Sequence, residues 1–293
     1  MFQGAITALA TPMKGGEVDK QALCELCERQ IAEGIDGLVP CGSTGEAATL
    51  SREEQSTVMR TVVQQARGRV PVIAGAGSNS TRKAILLSKM AAEAGVDGLL
   101  QVTPFYNKPT QPGLLAHYRA IAEATSLPIV LYNVPSRTGC DLLPETVAKA
   151  AEIPRVVGVK EATGNLARGQ AVIAALAGRE GFAVLSGDDP TCVALTAVGG
   201  HGVISVVSNL CPGATAKMIA AARAGRLEEA RAIHYRLLPL MELMGIESNP
   251  IPVKAALSLL GIGANEVRMP LLPLAGEKLE RLRAELAKQG LRS

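Results

Sequence analysis

The chain has 293 residues, 47% of them hydrophobic, a formal net charge of +3 and only 2% aromatic residues. It is long enough for a large core as one barrel or two smaller domains. The scattered charge and scarce aromatics argue against a nucleic-acid surface, and apolar runs broken well short of about 18 residues argue against a membrane span. The opening Met1-Phe2-Gln3-Gly4 enters a strand-like run without a basic stretch and cleavage site, so a cytoplasmic protein is expected. Six cysteines are spread through the chain. Cys24 and Cys27 form a C-x-x-C pair inside a helical period with no second pair at zinc spacing, which predicts packed thiols in a reducing compartment.

Short apolar runs predict strands at 4–9, 37–40, 70–74, 98–102, 129–132, 156–160, 182–185 and 202–206, with a segment of helical period between each and the next. Two stretches nearly repeat, Glu33-Gly34-Ile35-Asp36-Gly37-Leu38 and Ala94-Gly95-Val96-Asp97-Gly98-Leu99. In each, a glycine ends a helix and Asp-Gly turns the chain into a strand. Ser51-Arg52-Glu53-Glu54 has the spacing of a capping box, and Pro144-Glu145 opens another helix. Eight strand–helix units predict an α/β fold, a closed (β/α)8 TIM barrel. An open doubly wound sheet would have a glycine-rich phosphate turn after its first strand, where this chain has Ala10-Thr11-Pro12-Met13. Helices are predicted at 212–224, 227–244, 252–260 and 276–289, with Asn249-Pro250-Ile251-Pro252 as a stiff extended link. The expected division is a catalytic barrel over 1–224 and a small C-terminal helical domain over 225–293.

A barrel of this kind carries its chemistry at the C-terminal strand ends. The predicted ends hold Ser43 and Thr44 in Gly42-Ser43-Thr44-Gly45, then Tyr106, Tyr132, Arg137, Lys160, Gly187 and Ile204. Taken singly, each has an ordinary explanation: a hydroxyl-capped turn, a strand aromatic, a solvated arginine or a solvated strand-end lysine. Asp188 and Asp189 read as loop caps, and His117, His201 and His234 as structural. Together the set fits imine chemistry on a 2-oxo acid. The Lys160 amine attacks the keto carbon, a neighbouring phenol relays protons, the glycine turn holds a carboxylate and Arg137 can clamp a second one. The protonated imine is itself the electron sink, so neither metal nor cofactor is expected.

These residues also carry a likeness to a known family. Gly42-Ser43-Thr44-Gly45-Glu46, Thr103-Pro104-Phe105-Tyr106-Asn107, Leu131 through Asp141, Gly158 through Asn165, Leu185 through Asp189, Gly199 through Val206 and Asn249 through Lys254 are similar to the dihydrodipicolinate synthases. These belong to the pyruvate-dependent class I aldolase superfamily that also holds the N-acetylneuraminate lyases. The resemblance implies condensation of pyruvate with L-aspartate 4-semialdehyde on the path to diaminopimelate and lysine. It implies Lys160 as the imine-forming residue and Tyr132, Ser43 and Tyr106 as a hydroxyl relay. Thr44 would hold the pyruvate carboxylate, Arg137 the semialdehyde carboxylate, and the backbone of Gly187 and Ile204 would line the site. It further implies that Tyr106 reaches into a neighbouring subunit's site within a dimer, usually in a homotetramer.

Two departures stand out. The synthases usually have two threonines where this chain has Ser43-Thr44, a spelling shared with the lyases, whereas Pro135-Ser136-Arg137-Thr138-Gly139 is the synthase spelling. A sugar-derived 2-oxo acid lyase is therefore the alternative activity. A silent scaffold barrel would have lost the lysine or the phenol. At the positions where lysine-sensitive relatives hold their inhibitor, this chain has Phe105, Lys83 and Gln55, which predicts weak or absent inhibition by lysine.

Overall fold

The computed structural model describes residues 2–291. Strand β1 (Gly4–Ala8) is followed by a small antiparallel hairpin, β2 (Met13–Lys14) and β3 (Glu17–Val18), and by helix α1 (Lys20–Ala32). Then come β4 (Gly37–Val39), α2 (Arg52–Ala66), β5 (Ile73–Gly75), α3 (Thr81–Ala94), β6 (Gly98–Val102) and α4 (Gln111–Glu123). Strand β7 (Ile129–Asn133) leads to a short α5 (Pro135–Thr138) and to α6 (Pro144–Ala150). The series closes with β8 (Val156–Glu161), α7 (Leu166–Ala175), β9 (Ala183–Ser186), α8 (Cys192–Ala197), β10 (Gly202–Ser205) and α9 (Pro212–Arg223). Helices α10 (Leu227–Leu243), α11 (Ile251–Leu259) and α12 (Gly276–Lys288) complete the chain.

The eight long-range strands are parallel, in the order β4-β1-β10-β9-β8-β7-β6-β5. A parallel bridge from Leu38 to Val72, with the Leu38 N–H donating to the Pro71 carbonyl at 3.0 Å, joins the two ends and closes the ring. Each predicted strand is present. The period-2 alternation of side chains divides the core into two parts. Ile6, Val39, Ile73, Leu100, Val130, Leu185 and Ile204 fill the barrel interior, while Leu99, Ile129, Leu131, Val159, Val184 and Val203 pack outward against the helices. On β7 and β8 the same alternation turns Tyr132 and Lys160 inward, as neighbours in register.

The near-repeat has a structural purpose. Gly34 and Gly95 adopt φ of 87° and 84°, which end α1 and α3. Two residues on from each, an aspartate accepts from a neighbouring strand: Asp36 from the Ala5 N–H and Asp97 from the Val72 N–H, both at 2.8 Å. The capping box at Ser51 and Glu54 is formed. One local expectation is corrected. The segment from Asn249 to Pro252 is not an extended link throughout, because α11 begins at Ile251 with Pro252 in its first turn. Proline is accommodated there because the first helical N–H groups have no intrahelical acceptor to lose.

Candidate active site

Tyr132 and Lys160 lie at the C-terminal end of the barrel, where β7 and β8 pair Tyr132 with Lys160. Lys160 is 5% exposed, and its Nζ sits 4.3 Å from the centroid of the Tyr132 ring. Successive strand residues face opposite ways, so Glu161 points out of the barrel. There it accepts from Asn133 Nδ2 (3.1 Å), the Thr163 N–H (2.9 Å) and Arg168 Nε (3.1 Å). The carboxylate next in sequence to the amine is thus held by other partners. None of the ion pairs among the described residues involves Lys160.

The stem of Lys160 passes close to Gly187, just beyond β9. A Cβ at 187 would lie 2.8 Å from Lys160 Cε and 2.5 Å from Ala162 Cβ, so only glycine leaves room. The β10 end is fixed by buried Asp189, whose Oδ2 accepts from the N–H groups of Val206 and Val207 at 2.9 Å. Burial raises the Asp189 pKa above the usual carboxylate range, partly offset by those bonds. Asp188 caps the same loop by accepting from Thr191.

A cavity of about 170 Å³ lies above the amine, lined by Gly42, Ser43, Thr44, Tyr132, Ser136, Arg137, Lys160, Gly187, Val206 and Asn249 among others. It adjoins a larger one of about 710 Å³ that shares Gly42, Ser43, Tyr132 and Arg137 and extends past Gln55, Lys83 and Phe105. Arg137, on α5, is solvent-exposed, with one guanidinium nitrogen 3.4 Å from the Asn249 carbonyl. Asn249 Nδ2 donates to Thr44 Oγ1 at 2.9 Å. A Thr44 hydroxyl that already accepts on one side has its own proton free for a ligand.

Of the residues predicted from sequence, Lys160, Tyr132, Ser43, Thr44, Arg137 and Gly187 converge on the smaller cavity. Two do not. Ile204 is fully buried in the barrel interior, and Val206, two residues on, lines the cavity instead. Tyr106 is 88% exposed and lines neither cavity. Its backbone is left-handed at φ 75°, as are Lys108 in the same loop and Cys41 and Glu46 around the glycine turn. Such conformations cost energy in non-glycine residues and gather where surrounding structure over-determines a loop.

Burial pushes the Cys41 thiol up to about 12 and also raises Cys140. Sequence reasoning missed the support around the site: Asn249, and the group formed by Asn133, Asp141, Glu161 and Arg168. The signal was available in principle, since a glutamate directly after an inward lysine must face outward among helices and needs a cation there. His117, His201 and His234 lie outside the cavity. His117 Nδ1 contacts Thr81 Oγ1 at 2.9 Å, and His201 Nδ1 accepts from the Val184 N–H at 3.1 Å.

The model of the Dihydrodipicolinate synthetase family matches residues 1–289. A 4-hydroxy-tetrahydrodipicolinate synthase of Maridesulfovibrio salexigens is 56% identical over 291 residues, 99% of each chain. One from Syntrophus aciditrophicus is 50% identical over the same length and share. Among solved structures, dihydrodipicolinate synthase of Thermotoga maritima superposes with a TM-score of 0.97 at 44% identity, covering 99% of both chains. The Acinetobacter baumannii enzyme, complexed with pyruvate, gives 0.97 at 47% identity, covering 99% of this chain and 100% of its own.

Proposed function

Since the chain belongs to the dihydrodipicolinate synthetase family, we propose that Lys160 is its imine-forming residue and that the polar barrel mouth divides the remaining work as follows. The reaction is that of a carbon–carbon bond-forming lyase of the class I aldolase type. It condenses pyruvate with L-aspartate 4-semialdehyde to 4-hydroxy-tetrahydrodipicolinate, in diaminopimelate and lysine biosynthesis. The observation that carries the residue assignment is the Lys160 amine, with no carboxylate partner among the described residues, lying against Tyr132 in a cavity that also holds the glycine turn.

Thr44 and the turn's N–H groups receive the pyruvate carboxylate, which places the keto carbon at Lys160 Nζ. The amine adds to that carbon, and loss of water leaves a protonated imine. The π face of Tyr132 attracts cations, so it favours the iminium. The phenol of Tyr132, with the Ser43 hydroxyl, carries protons to and from the reacting centre. Loss of a C3 proton gives the enamine, whose carbon attacks the semialdehyde aldehyde; the resulting alkoxide takes a proton. The semialdehyde's own amine then adds to the imine carbon and displaces Lys160, closing the ring. One water is released overall and the enzyme is regenerated. Arg137, open to solvent at the mouth, pairs with the semialdehyde carboxylate. The backbone at Gly187 completes the wall, with Ile204 packed behind it.

Tyr106 joins the relay only from a second copy of the chain, because within one chain it lines neither cavity. An exposed tyrosine next to exposed Phe105 supports a dimer, half of a homotetramer. The proposed division is a catalytic barrel over 1–224 and a helical domain over 225–293, of which 1, 292 and 293 lie outside the described residues. Among the described residues no helix is long and apolar enough to cross a membrane, and six free thiols suit a reducing cytoplasm.

The test is reduction with borohydride in the presence of pyruvate, followed by peptide mass analysis and a semialdehyde assay. A pyruvate-derived increment on the Lys160 peptide is expected. Its absence, or cleavage of N-acetylneuraminate without use of the semialdehyde, refutes the reading.

A further inference from the structure

The glycine turn is held from a distant part of the chain. Within residues 42–47 its own bonds are long: Gly45 N–H to the Gly42 carbonyl at 3.2 Å, Glu46 N–H to Ser43 at 3.2 Å and Ala47 N–H to Gly42 at 3.3 Å, with Thr11 Oγ1 donating to the Gly45 carbonyl at 2.8 Å from outside. The turn ends on Glu46 in left-handed backbone, φ 54°. The Glu46 side chain leaves the site and meets Lys254, in the first turn of α11, in an ion pair where both side chains are 2% exposed. The other carboxylate oxygen accepts from the Arg268 N–H at 3.0 Å. Arg268 also donates through its guanidinium to the Thr49 carbonyl at 2.9 Å and to Glu54 at 2.8 Å. The residue next before Pro250, Asn249, donates to Thr44.

We propose that Glu46 and Lys254 are positioning residues that set pyruvate affinity by fixing the glycine turn relative to the Lys160 amine. The proposal rests on the turn's role as holder of the pyruvate carboxylate. A fully buried ion pair is a poor source of stability, because desolvation offsets most of its Coulomb attraction. What it supplies is direction, since one residue is pinned to another at a fixed distance. Here it pins a residue whose left-handed backbone persists only if its surroundings impose it. Thr44 and Glu46 are both referenced to the segment that opens α11, whereas Lys160 is referenced to β7 and β9. A slack brace would therefore shift the carboxylate holder against the amine and leave the amine's own setting intact. Neither residue touches the reacting atoms.

The deciding variant is the double substitution Glu46→Gln with Lys254→Met, which removes both buried charges and nearly conserves volume. Loss of a turn-held charged hydrogen bond predicts a pyruvate KM raised by about tenfold or more, with kcat within about threefold of wild type. Borohydride trapping at saturating pyruvate should match wild type, and the semialdehyde KM should stay close to it. A pyruvate KM within about twofold of wild type, or a fall in kcat with KM unmoved, overturns the proposal. If circular dichroism shows the double variant unfolded, Glu46→Asp decides by the same criteria, since it keeps the charge and shortens the reach by one methylene. Wild-type protein that fails to trap pyruvate would remove the imine reading itself, and this proposal with it. Normal wild-type trapping beside variants of unchanged KM would remove this proposal alone.

Discussion

Gly187 offers the sharpest test of how closely the site is built around Lys160. Gly187→Ala adds one methyl group at a backbone position that is not left-handed, so the perturbation is steric alone. The new carbon would lie 2.5 Å from Ala162 Cβ, 2.8 Å from Lys160 Cε and 3.0 Å from Lys160 Cγ. Carbon atoms in contact ordinarily sit about 3.5–4.0 Å apart, so about 1 Å must be found. The main chain cannot supply it readily, because the Gly187 N–H is bonded to the Glu161 carbonyl at 2.7 Å within the β8–β9 ladder. The lysine stem is the part able to move. A displacement of about 1 Å at a reacting group costs on the order of 100-fold in rate. Overpacking itself costs about 1–3 kcal/mol, which lowers the melting temperature by several degrees without unfolding the protein. Initial rates with both substrates, trapping with pyruvate and a thermal melt together read the outcome. A folded Gly187→Ala enzyme with kcat/KM within about threefold of wild type would refute the packing argument.

Arg137→Ala should lower kcat/KM for the semialdehyde by about 100-fold while leaving borohydride trapping of pyruvate unchanged, since a charge partner is lost for one substrate only; equal damage to both would place Arg137 elsewhere in the reaction. His117 makes a pH prediction. Burial holds its pKa at about 4, below the ordinary 6.5, so the unfolded chain binds more protons between those values. Stability from this group is complete above pH 6.5 and falls as pH drops toward 4, by roughly 2 kcal/mol between pH 7 and 5. Urea denaturation should show that slope in wild type and a flatter one in His117→Asn; parallel profiles would refute it. Lysine should inhibit weakly or not at all. Lys83 puts a cation on the larger cavity, and the Gln55 amide is already spent on the carbonyls of Ala47 and Leu50 at 3.0 and 3.3 Å. Half-inhibition by sub-millimolar lysine in an initial-rate assay would contradict this.

The barrel was legible because its signals are local and periodic. Strand runs, glycine helix ends and the Asp-Gly repeat each act within a few residues, and Asp36 and Asp97 do the same job at equivalent places. Strand-end reasoning also put Lys160 and Tyr132 at one end of the barrel. The hairpin of β2 and β3 escaped notice, since two residues per strand carry almost no pattern. The sequence draws the link before α11 slightly too long: it predicts a helix from Pro252, and the helix begins one residue earlier at Ile251, leaving Pro252 in the first turn where no intrahelical acceptor is lost.

The site divides along the same line. Its candidate groups were readable because they lie at or just beyond strand ends, but the side chains that hold the glycine turn come from far away in the chain. Lys254 lies 208 residues from Glu46, and Arg268 reaches Glu54 across 214. No periodicity spans such distances, and a lysine in Asn249-Pro250-Ile251-Pro252-Val253-Lys254 reads as a solvated helix residue until it is found 2% exposed. The same limit applies to Tyr106, which is 88% exposed, so the relay role proposed for it needs a second copy of the chain. The C-terminal helices thus do more than cover the barrel. On the proposed assignment they supply the fixed reference for the turn through Asn249 and Lys254, while the strands supply the reference for the amine. Catalysis needs those two references to agree to within about 1 Å.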